Sequence, residues 1–275
     1  MILTADIGGS HMRIAMSDAP GKLEKPFICD TPAKFETAVA TFANSAREAA
    51  HGRPITGGVA GIAGLLSADR KTLLKAPHLR DWENKNIAET FSNALGISIR
   101  FENDAALGAL GEATFGAGTG VSILAYITVG TGVGGARVID RQIDRSMFGF
   151  EMGHQLLGAG LDAPEWEELV SGSGLGKKYG KPSSEIKDQT IWNECADNFA
   201  VGLYNSILHW SPERVVLGGA LFNEDAIPLE RVKTALHSIN TALPVLPDIR
   251  LAKLGDLSVL YGALALMQNP NIRPK

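Results

Sequence analysis

Two glycine-rich turns carry the residues best suited to bind a phosphate group. Asp6 precedes the turn Gly8–Ser10, and Thr131 and Gly132 belong to the run GTGVGG over residues 130–135. Consecutive backbone N–H groups without Cβ atoms can approach an anion closely and form an anion-binding nest, and neighbouring hydroxyls add donors. Either turn alone could be a plain tight turn of a hairpin. Two such turns in one chain favour a bound nucleotide.

The run GTGVGG also matches the dinucleotide fingerprint GxGxxG, with Glu151 about 20 residues beyond Gly130. A Rossmann motif requires a helix after the glycines, whereas here a β-type run, residues 136–140, follows. The sequence therefore predicts a hairpin turn. A third glycine pair, Gly218-Gly219, ends the apolar run RVVLGG and could lie against a flat ring such as adenine.

Asp104 is the candidate for acid–base chemistry. It follows a β-type run and Asn103, and precedes a helix of small residues, so it stands where an N-cap is expected. We expect the helix N-terminus to lower its pKa, and capping and catalysis are compatible because phosphoryl transfer requires chiefly orientation and late proton acceptance. An amide beside a carboxylate can bind sugar hydroxyls.

Glu151 and His154 are three residues apart and would share one face of a helical turn. Such a pair could be half of a metal site, but no second acid–histidine pair or cysteine cluster completes it. A solvated surface pair is the alternative. Further along, Glu165, Glu167 and Glu168 stand at a predicted helix start, where the helix dipole favours acids.

Strands and helices alternate along the chain, which predicts an α/β protein with a largely parallel sheet and an antiparallel start. The predicted strands are 2–6, 12–16, 57–62, 97–102, 122–129, 136–139 and 214–217, and the predicted helices are 35–50, 86–95, 105–115, 191–210, 227–239 and 257–267. The strand–glycine turn–strand unit occurs once in each half. This repetition predicts two domains of similar construction that face each other, with a crossing point after Asp104.

Composition excludes several classes of protein. The chain has 275 residues, 45% of them hydrophobic, and a formal net charge of −4. It has no basic run typical of nucleic-acid binding, no apolar stretch of about 18 residues, and no secretory signal pattern. Cys29 and Cys195 belong to no CxxC motif, and we interpret both as structural thiols of a reducing compartment. We expect a soluble cytoplasmic protein that binds neither nucleic acid nor membranes.

Taken in order, the motifs resemble those of the ROK family (repressor, open reading frame, kinase) of actin-like sugar kinases. DIGGS resembles the first phosphate turn, ENDA the catalytic segment, TVGTGVGGA the second phosphate turn, EMGH with EELVSGSGL the sugar-binding signature, and VVLGGAL the adenosine loop. GVAGIAGLL and KAPHLRDW also match the family. The resemblance spans nearly the whole chain.

This resemblance implies two actin-like (ribonuclease H-like) α/β domains with a cleft between them, residues 1–104 plus 255–275 and residues 105–254. It implies ATP-dependent phosphorylation of a hexose or N-acetylhexosamine, with Asp104 as general base, and a homodimer. The implied sugar contacts are Gly64, Asn103, Asp104, Glu151, His154 and Glu167. The implied nucleotide contacts are Asp6, Gly8, Gly9, Ser10, Thr131, Gly132, Gly218 and Gly219, with Mg²⁺ near Asp6.

Two features depart from the family pattern. Many members have a CxCGxxGC zinc site after the GH dipeptide, but residues 155–168 contain no cysteine, so we expect no zinc. The repressor branch carries an N-terminal helix-turn-helix, and this chain begins at the phosphate turn. Polyphosphate as the donor, or a catalytically silent sugar sensor, are the alternatives, and the sequence leaves the physiological sugar open.

Overall fold

The computed structural model describes residues 1–224 and 226–268, and two five-stranded sheets dominate it. The first sheet has the order β3-β2-β1-β4-β8, and the second has the order β11-β10-β9-β12-β13. A small three-stranded sheet has the order β5-β6-β7. The strands of the first half are β1 Ile2–Ile7, β2 His11–Ser17, β3 Phe27–Asp30, β4 Gly57–Ile62, β5 Leu65–Leu66, β6 Thr72–Lys75, β7 Lys85–Asn86 and β8 Ile99–Asn103. Those of the second half are β9 Ile123–Val129, β10 Val133–Ile139, β11 Gln142–Ile143, β12 Arg214–Gly218 and β13 Asp248–Leu251.

The two large sheets are built alike. In each, the first two strands form an antiparallel hairpin around a glycine turn, and the first strand also pairs in parallel with a later strand, β4 or β12. The predicted repetition of the strand–turn–strand unit is therefore confirmed. The run GTGVGG joins β9 to β10, so the hairpin interpretation holds and the dinucleotide fingerprint does not.

The helices of the described residues are α1 Phe35–Ala49, α2 Ile87–Leu95, α3 Asp104–Phe115, α4 Trp166–Val170, α5 Gly172–Tyr179, α6 Gln189–Trp210, α7 Ala220–Asn223, α8 Leu229–Ile239 and α9 Ser258–Gln268. The helices expected at 35–50, 86–95, 105–115, 191–210, 227–239 and 257–267 all form, within two residues at each end. Short edge strands, such as β3 and β13, were missed because four residues carry little alternation. In the part of the chain that the structure describes, no helix combines the length and apolarity that a membrane span requires.

Each large sheet has its own core. Phe91 contacts Phe42 and Phe101 edge-to-face in the first, while Phe199 stacks between Trp166 and Phe222 in the second. Cys195 is buried in the second core, as predicted, and burial raises the pKa of its thiol to about 12.

Helices α3 and α9 cross between the sheets. Helix α3 leaves the first sheet and packs on the second, whereas α9 leaves the second and packs on the first. The crossing is so close that a Cβ atom at Gly262 would overlap the Leu107 carbonyl. Glu112 of α3 is fully buried and accepts hydrogen bonds from the Ala117, Lys253 and Leu254 N–H groups and the Ser258 hydroxyl, a link that sequence reasoning missed.

Candidate active site

The first glycine turn is held in place through its carbonyl groups. The Thr31 hydroxyl donates to the Gly8 carbonyl at 2.7 Å, and the Thr31 N–H donates to the Ser10 carbonyl at 2.8 Å. The Gly8 N–H closes the turn on the His11 carbonyl at 3.0 Å. A Cβ atom at Gly9 would lie 2.6 Å from the His78 Cβ, so contact with His78 also requires a glycine there.

The second glycine turn is held in the same way by the start of α5. The Gly172 N–H donates to the Gly130 carbonyl at 2.8 Å, and the Ser173 N–H and hydroxyl both donate to the Thr131 carbonyl, at 3.0 and 2.6 Å. Both turns therefore have their carbonyl groups bound by a neighbouring segment, which leaves each turn in a fixed conformation.

Gly218 and Gly219 lie beside the second turn, at the end of β12. Gly219 has a φ of +87°, and a Cβ atom there would lie 2.7 Å from the Thr128 hydroxyl oxygen. A Cβ at Gly218 would lie 2.6 Å from the Tyr126 hydroxyl. Close packing on β9 thus requires both glycines and places this loop next to the turn over residues 130–132.

Asp6 is a buried carboxylate at the end of β1. It stands opposite Arg13 in the β1–β2 register, and the Arg13 guanidinium approaches its carboxylate at 3.3 Å. Burial, together with the nearby Asp104, raises the pKa of Asp6 to about 7 against the opposing effect of Arg13. Sequence reasoning missed Arg13, although pairing the strands outward from the turn would have placed it across from Asp6.

Asp104 is the first residue of α3, and two expectations for it are wrong. The N-cap is Asn103, whose side-chain oxygen accepts from the Ala106 N–H at 3.1 Å. The pKa of Asp104 is raised, not lowered, because desolvation of its carboxyl group outweighs the hydrogen bond from the Ala105 N–H, and Glu151 adds repulsion. The structure thus couples Asp6 to Asp104 and Asp104 to Glu151 electrostatically.

Gly64 lies next to Asn103. The Asn103 side-chain N–H donates to the Gly64 carbonyl at 3.4 Å. Gly64 has a φ of +128°, and a Cβ atom there would lie 2.5 Å from the Lys75 carbonyl oxygen. These two residues of the predicted sugar set are therefore brought together from positions 39 residues apart.

Glu151 precedes a single 3-10 turn, Met152–His154, in which His154 is the last residue, and both side chains are exposed. His154 is bound to Glu165, whose carboxylate lies 2.7 Å from Nδ1. This hydrogen bond, followed by the charges of Glu165, Glu167 and Glu151, raises the pKa of His154. The expected helical turn is confirmed, but the sequence did not single out Glu165 as the partner of the histidine.

Glu167 joins this segment to the second glycine turn. Its carboxylate accepts from the Val133 N–H at 3.3 Å, and Cβ atoms at Gly132 and Gly153 would lie 3.0 and 3.2 Å from it. Among the described residues, His154, Glu165 and Glu167 form the one group of three side chains with candidate metal-ligating atoms within 4.8 Å of one another.

The surroundings of Asp6 fit a divalent cation. Mg²⁺ binds carboxylate oxygens, and a buried carboxylate that is repelled by a second acid gains from a cation beside it. Burial and Asp104 raise the pKa of Asp6 in spite of Arg13, and a cation beside the carboxylate would offset both effects.

The two large sheets have equivalent strand orders, each begins with a glycine-turn hairpin, and the crossing helices α3 and α9 join them. This arrangement is the actin-like two-domain α/β fold. A model of the ROK family matches residues 2–270, and the chain belongs to that family.

Two curated relatives align with nearly the whole of this chain. It is 26% identical to a glucokinase of Streptomyces coelicolor over 98% of both chains, and 26% identical to the N-acetylgalactosamine kinase AgaK of a Shewanella species over 95% of this chain and 94% of that one. Among solved structures, a ROK family glucokinase from Streptomyces griseus in complex with glucose and AMPPNP superposes with a TM-score of 0.82 at 26% identity. That match covers 96% of this chain and 98% of that chain.

Proposed function

We propose that the protein transfers the γ-phosphate of ATP to a hydroxyl group of a hexose or N-acetylhexosamine, with Asp104 as the general base. Its class, an ATP-dependent sugar kinase, follows from the family and from relatives named glucokinase and N-acetylgalactosamine kinase. The observation that carries the proposal is the electrostatically coupled set of Asp6, Asp104 and Glu151, three acids that lie far apart in the sequence.

Asp104 accepts the proton of the attacking hydroxyl as the bond to phosphorus forms. Its raised pKa makes it a stronger base than an exposed aspartate, which suits proton acceptance late in a loose transition state. Its position at the start of α3, with one carboxylate oxygen held by the Ala105 N–H at 2.8 Å, fixes the orientation of the base.

The nucleotide is proposed to lie between the two glycine turns. The N–H groups and hydroxyls around Gly8, Gly9, Ser10, Thr131 and Gly132 bind the phosphates, and Gly218 and Gly219 line the adenosine side. Asp6 would hold Mg²⁺, which when bound screens the charge of the phosphates. The hydrogen bonds that fix the carbonyl groups of both turns support this arrangement, since they hold each turn in one conformation.

The sugar is proposed to contact Gly64, Asn103, Asp104, Glu151, His154 and Glu167. A carboxylate accepts two hydroxyl hydrogen bonds, and an imidazole donates or accepts at each nitrogen. Two hydrogen bonds support this set: the bond from Asn103 to Gly64 brings two of its residues together, and the bond from the Val133 N–H to Glu167 ties a third to the second glycine turn.

The test is a turnover assay over a panel of sugars: glucose, mannose, fructose, N-acetylglucosamine, N-acetylgalactosamine and N-acetylmannosamine. ADP release is measured with ATP as the donor, and formation of the sugar phosphate is measured with polyphosphate as the donor. We expect Asp104→Asn to lower kcat by about 10²- to 10⁴-fold, the contribution of a general base, with the sugar KM changed only a few-fold. Asp140→Asn is the matched control, since Asp140 is exposed and its left-handed φ of +49° suits asparagine. A kcat for Asp104→Asn within tenfold of the parent protein contradicts its role as base, and no turnover on any sugar contradicts the kinase.

We also propose the domain division, a homodimer and a cytoplasmic location. The crossing of α3 and α9 between the sheets supports one domain of residues 1–104 plus 255–275 and a second domain of residues 105–254. Residues 225 and 269–275 lie outside the described residues. Exposed Val201 and Leu208 on α6 support a dimer contact there. The free thiols of Cys29 and Cys195 and the use of ATP support the cytoplasm.

A further inference from the structure

The segment that carries His154 pairs with the segment around Glu165, and the two together close the base of a loop. Leu156 and Glu165 form an antiparallel bridge, the Leu157 N–H donates to the Pro164 carbonyl at 2.9 Å, and the Trp166 N–H donates to the Gln155 carbonyl at 2.9 Å. We call residues 154–157 and 164–166 the loop neck. Residues 158–163 form the exposed loop beyond it.

The loop neck is anchored to α6 on both sides. Trp166 is fully buried and stacks on Phe199 with ring centroids 5.1 Å apart, and a Cβ atom at Gly202 would overlap its indole ring. On the other side, the Gln155 side-chain N–H donates to the Gly202 carbonyl at 3.3 Å. Glu165 precedes the anchored tryptophan, so its backbone has a fixed position.

The ion pair between His154 and Glu165 spans this neck. The Glu165 carboxylate lies 2.7 Å from Nδ1, so Nδ1 is engaged in this hydrogen bond. The other ring nitrogen, Nε2, does not contact Glu165 and is the one that could bind a ligand. Among the described residues, the charges that act on the pKa of the imidazole are those of three acids: Glu151 before the 3-10 turn, and Glu165 and Glu167 at the start of α4. The side chains of His154 and Glu165 are 49% and 38% exposed, so solvent and a small ligand can both reach the pair.

We propose that Glu165 is a positioning residue for sugar binding, which fixes the ring orientation and the tautomer of His154 so that Nε2 meets a sugar hydroxyl. This inference rests on the proposed kinase function. Because Nδ1 keeps its proton toward the carboxylate, the neutral ring offers Nε2 only as an acceptor, and the imidazolium offers it only as a donor. Glu165 also raises the pKa of His154, which extends the donor form to higher pH.

The first measurement is the titration of His154 by ¹H–¹⁵N imidazole NMR, with the signals assigned by their loss in His154→Gln. In the parent protein at high pH we expect the Nδ1–H tautomer. In Glu165→Ala we expect a mixture dominated by the Nε2–H tautomer and a lower titration midpoint. Glu194→Gln is the matched control, because it removes one exposed carboxylate of a 2.9 Å ion pair in the same half of the chain.

The second measurement separates binding from chemistry. We expect Glu165→Ala to raise the sugar KM about three- to tenfold, because the hydrogen bond to Glu165 no longer holds the imidazole in the binding orientation. We expect kcat and the ATP KM to stay within twofold of the parent protein. Glu165→Gln keeps an acceptor for Nδ1–H, so its sugar KM should be close to that of the parent protein. Its titration midpoint should stay low, because the negative charge is lost.

The two proposals fail in different ways. An inactive parent protein contradicts the proposed function, while the NMR titration still reports on the His154 tautomer. An active parent protein whose Glu165→Ala variant keeps the sugar KM overturns the role of Glu165, as does an unchanged tautomer. An equal rise of the sugar KM in Glu165→Ala and Glu194→Gln would indicate a general effect on stability and would also overturn the role of Glu165.

Discussion

Replacement of Asp6 by asparagine should make the protein more stable above neutral pH while it abolishes phosphoryl transfer. Burial and Asp104 raise the pKa of Asp6 from 3.8 to about 7. Each pKa unit corresponds to about 1.4 kcal/mol, so ionised Asp6 costs the folded state about 4 kcal/mol relative to an exposed aspartate. Asparagine never ionises and keeps an acceptor for Arg13, which also lies 3.4 Å from Asp256.

The pH dependence gives this prediction its sign. The folded protein holds the Asp6 proton up to about pH 7, whereas the unfolded chain loses it near 3.8. Unfolding therefore releases this proton between these two values, and its contribution to the free energy of unfolding falls as the pH rises through the window. At pH 5, about 1.2 units above the unfolded pKa of 3.8, the parent has lost only about 1.6 kcal/mol of this contribution, so the variant should gain much less than at higher pH. At pH 8 we expect a gain of about 2–4 kcal/mol, after about 1 kcal/mol is subtracted for the weaker bond to Arg13.

Urea denaturation of the ligand-free protein at pH 5, 6, 7 and 8 measures this difference, and Asp18→Asn is the control because Asp18 is exposed. The variant-minus-parent difference cancels the contributions of titrating groups that do not interact with Asp6. A difference that stays constant from pH 5 to 8, or a variant less stable than the parent at pH 8, would refute the reasoning. The same variant should show no turnover with Mg²⁺ and ATP.

Three further changes test the crossing helices and the site. Glu112→Ala should lower the free energy of unfolding by about 3–5 kcal/mol, since it leaves three partly buried backbone N–H groups without their side-chain acceptor and removes one acceptor of the buried Ser258 hydroxyl; urea denaturation should show less than about 0.5 kcal/mol for exposed Glu48→Ala, and equal effects would contradict the prediction. Gly262→Ala should cost about 3 kcal/mol in the same assay, because its Cβ overlaps the Leu107 carbonyl, and a neutral effect would show that the helices separate freely. Glu151→Ala should raise the sugar KM by about tenfold with the ATP KM within twofold; initial rates that match the parent for every accepted sugar would place the sugar elsewhere.

Local sequence patterns determined most of the fold. The glycine turns between apolar runs specified both hairpins, and the 3.6-residue periodicity of runs such as 191–210 specified the helices, because both signals depend on neighbours in the chain. The order of the motifs then predicted the family. Short strands at sheet edges, such as β11 with two residues, carried too little pattern to be predicted.

The tertiary structure decided the chemistry of the site. The helix N-terminus predicted a lowered pKa for Asp104, and the structure reverses this direction because desolvation depends on everything that packs around the carboxyl group, not on its own helix. Sequence placed Glu165 at a helix start, but only the bridged loop neck brings it to within 2.7 Å of His154. Asp6 and Asp104 come from opposite ends of the first sheet's sequence, and their repulsion exists only because parallel β1, β4 and β8 end side by side. Residue identity and local pattern are properties of the chain, whereas burial and the distance between charges are set by packing.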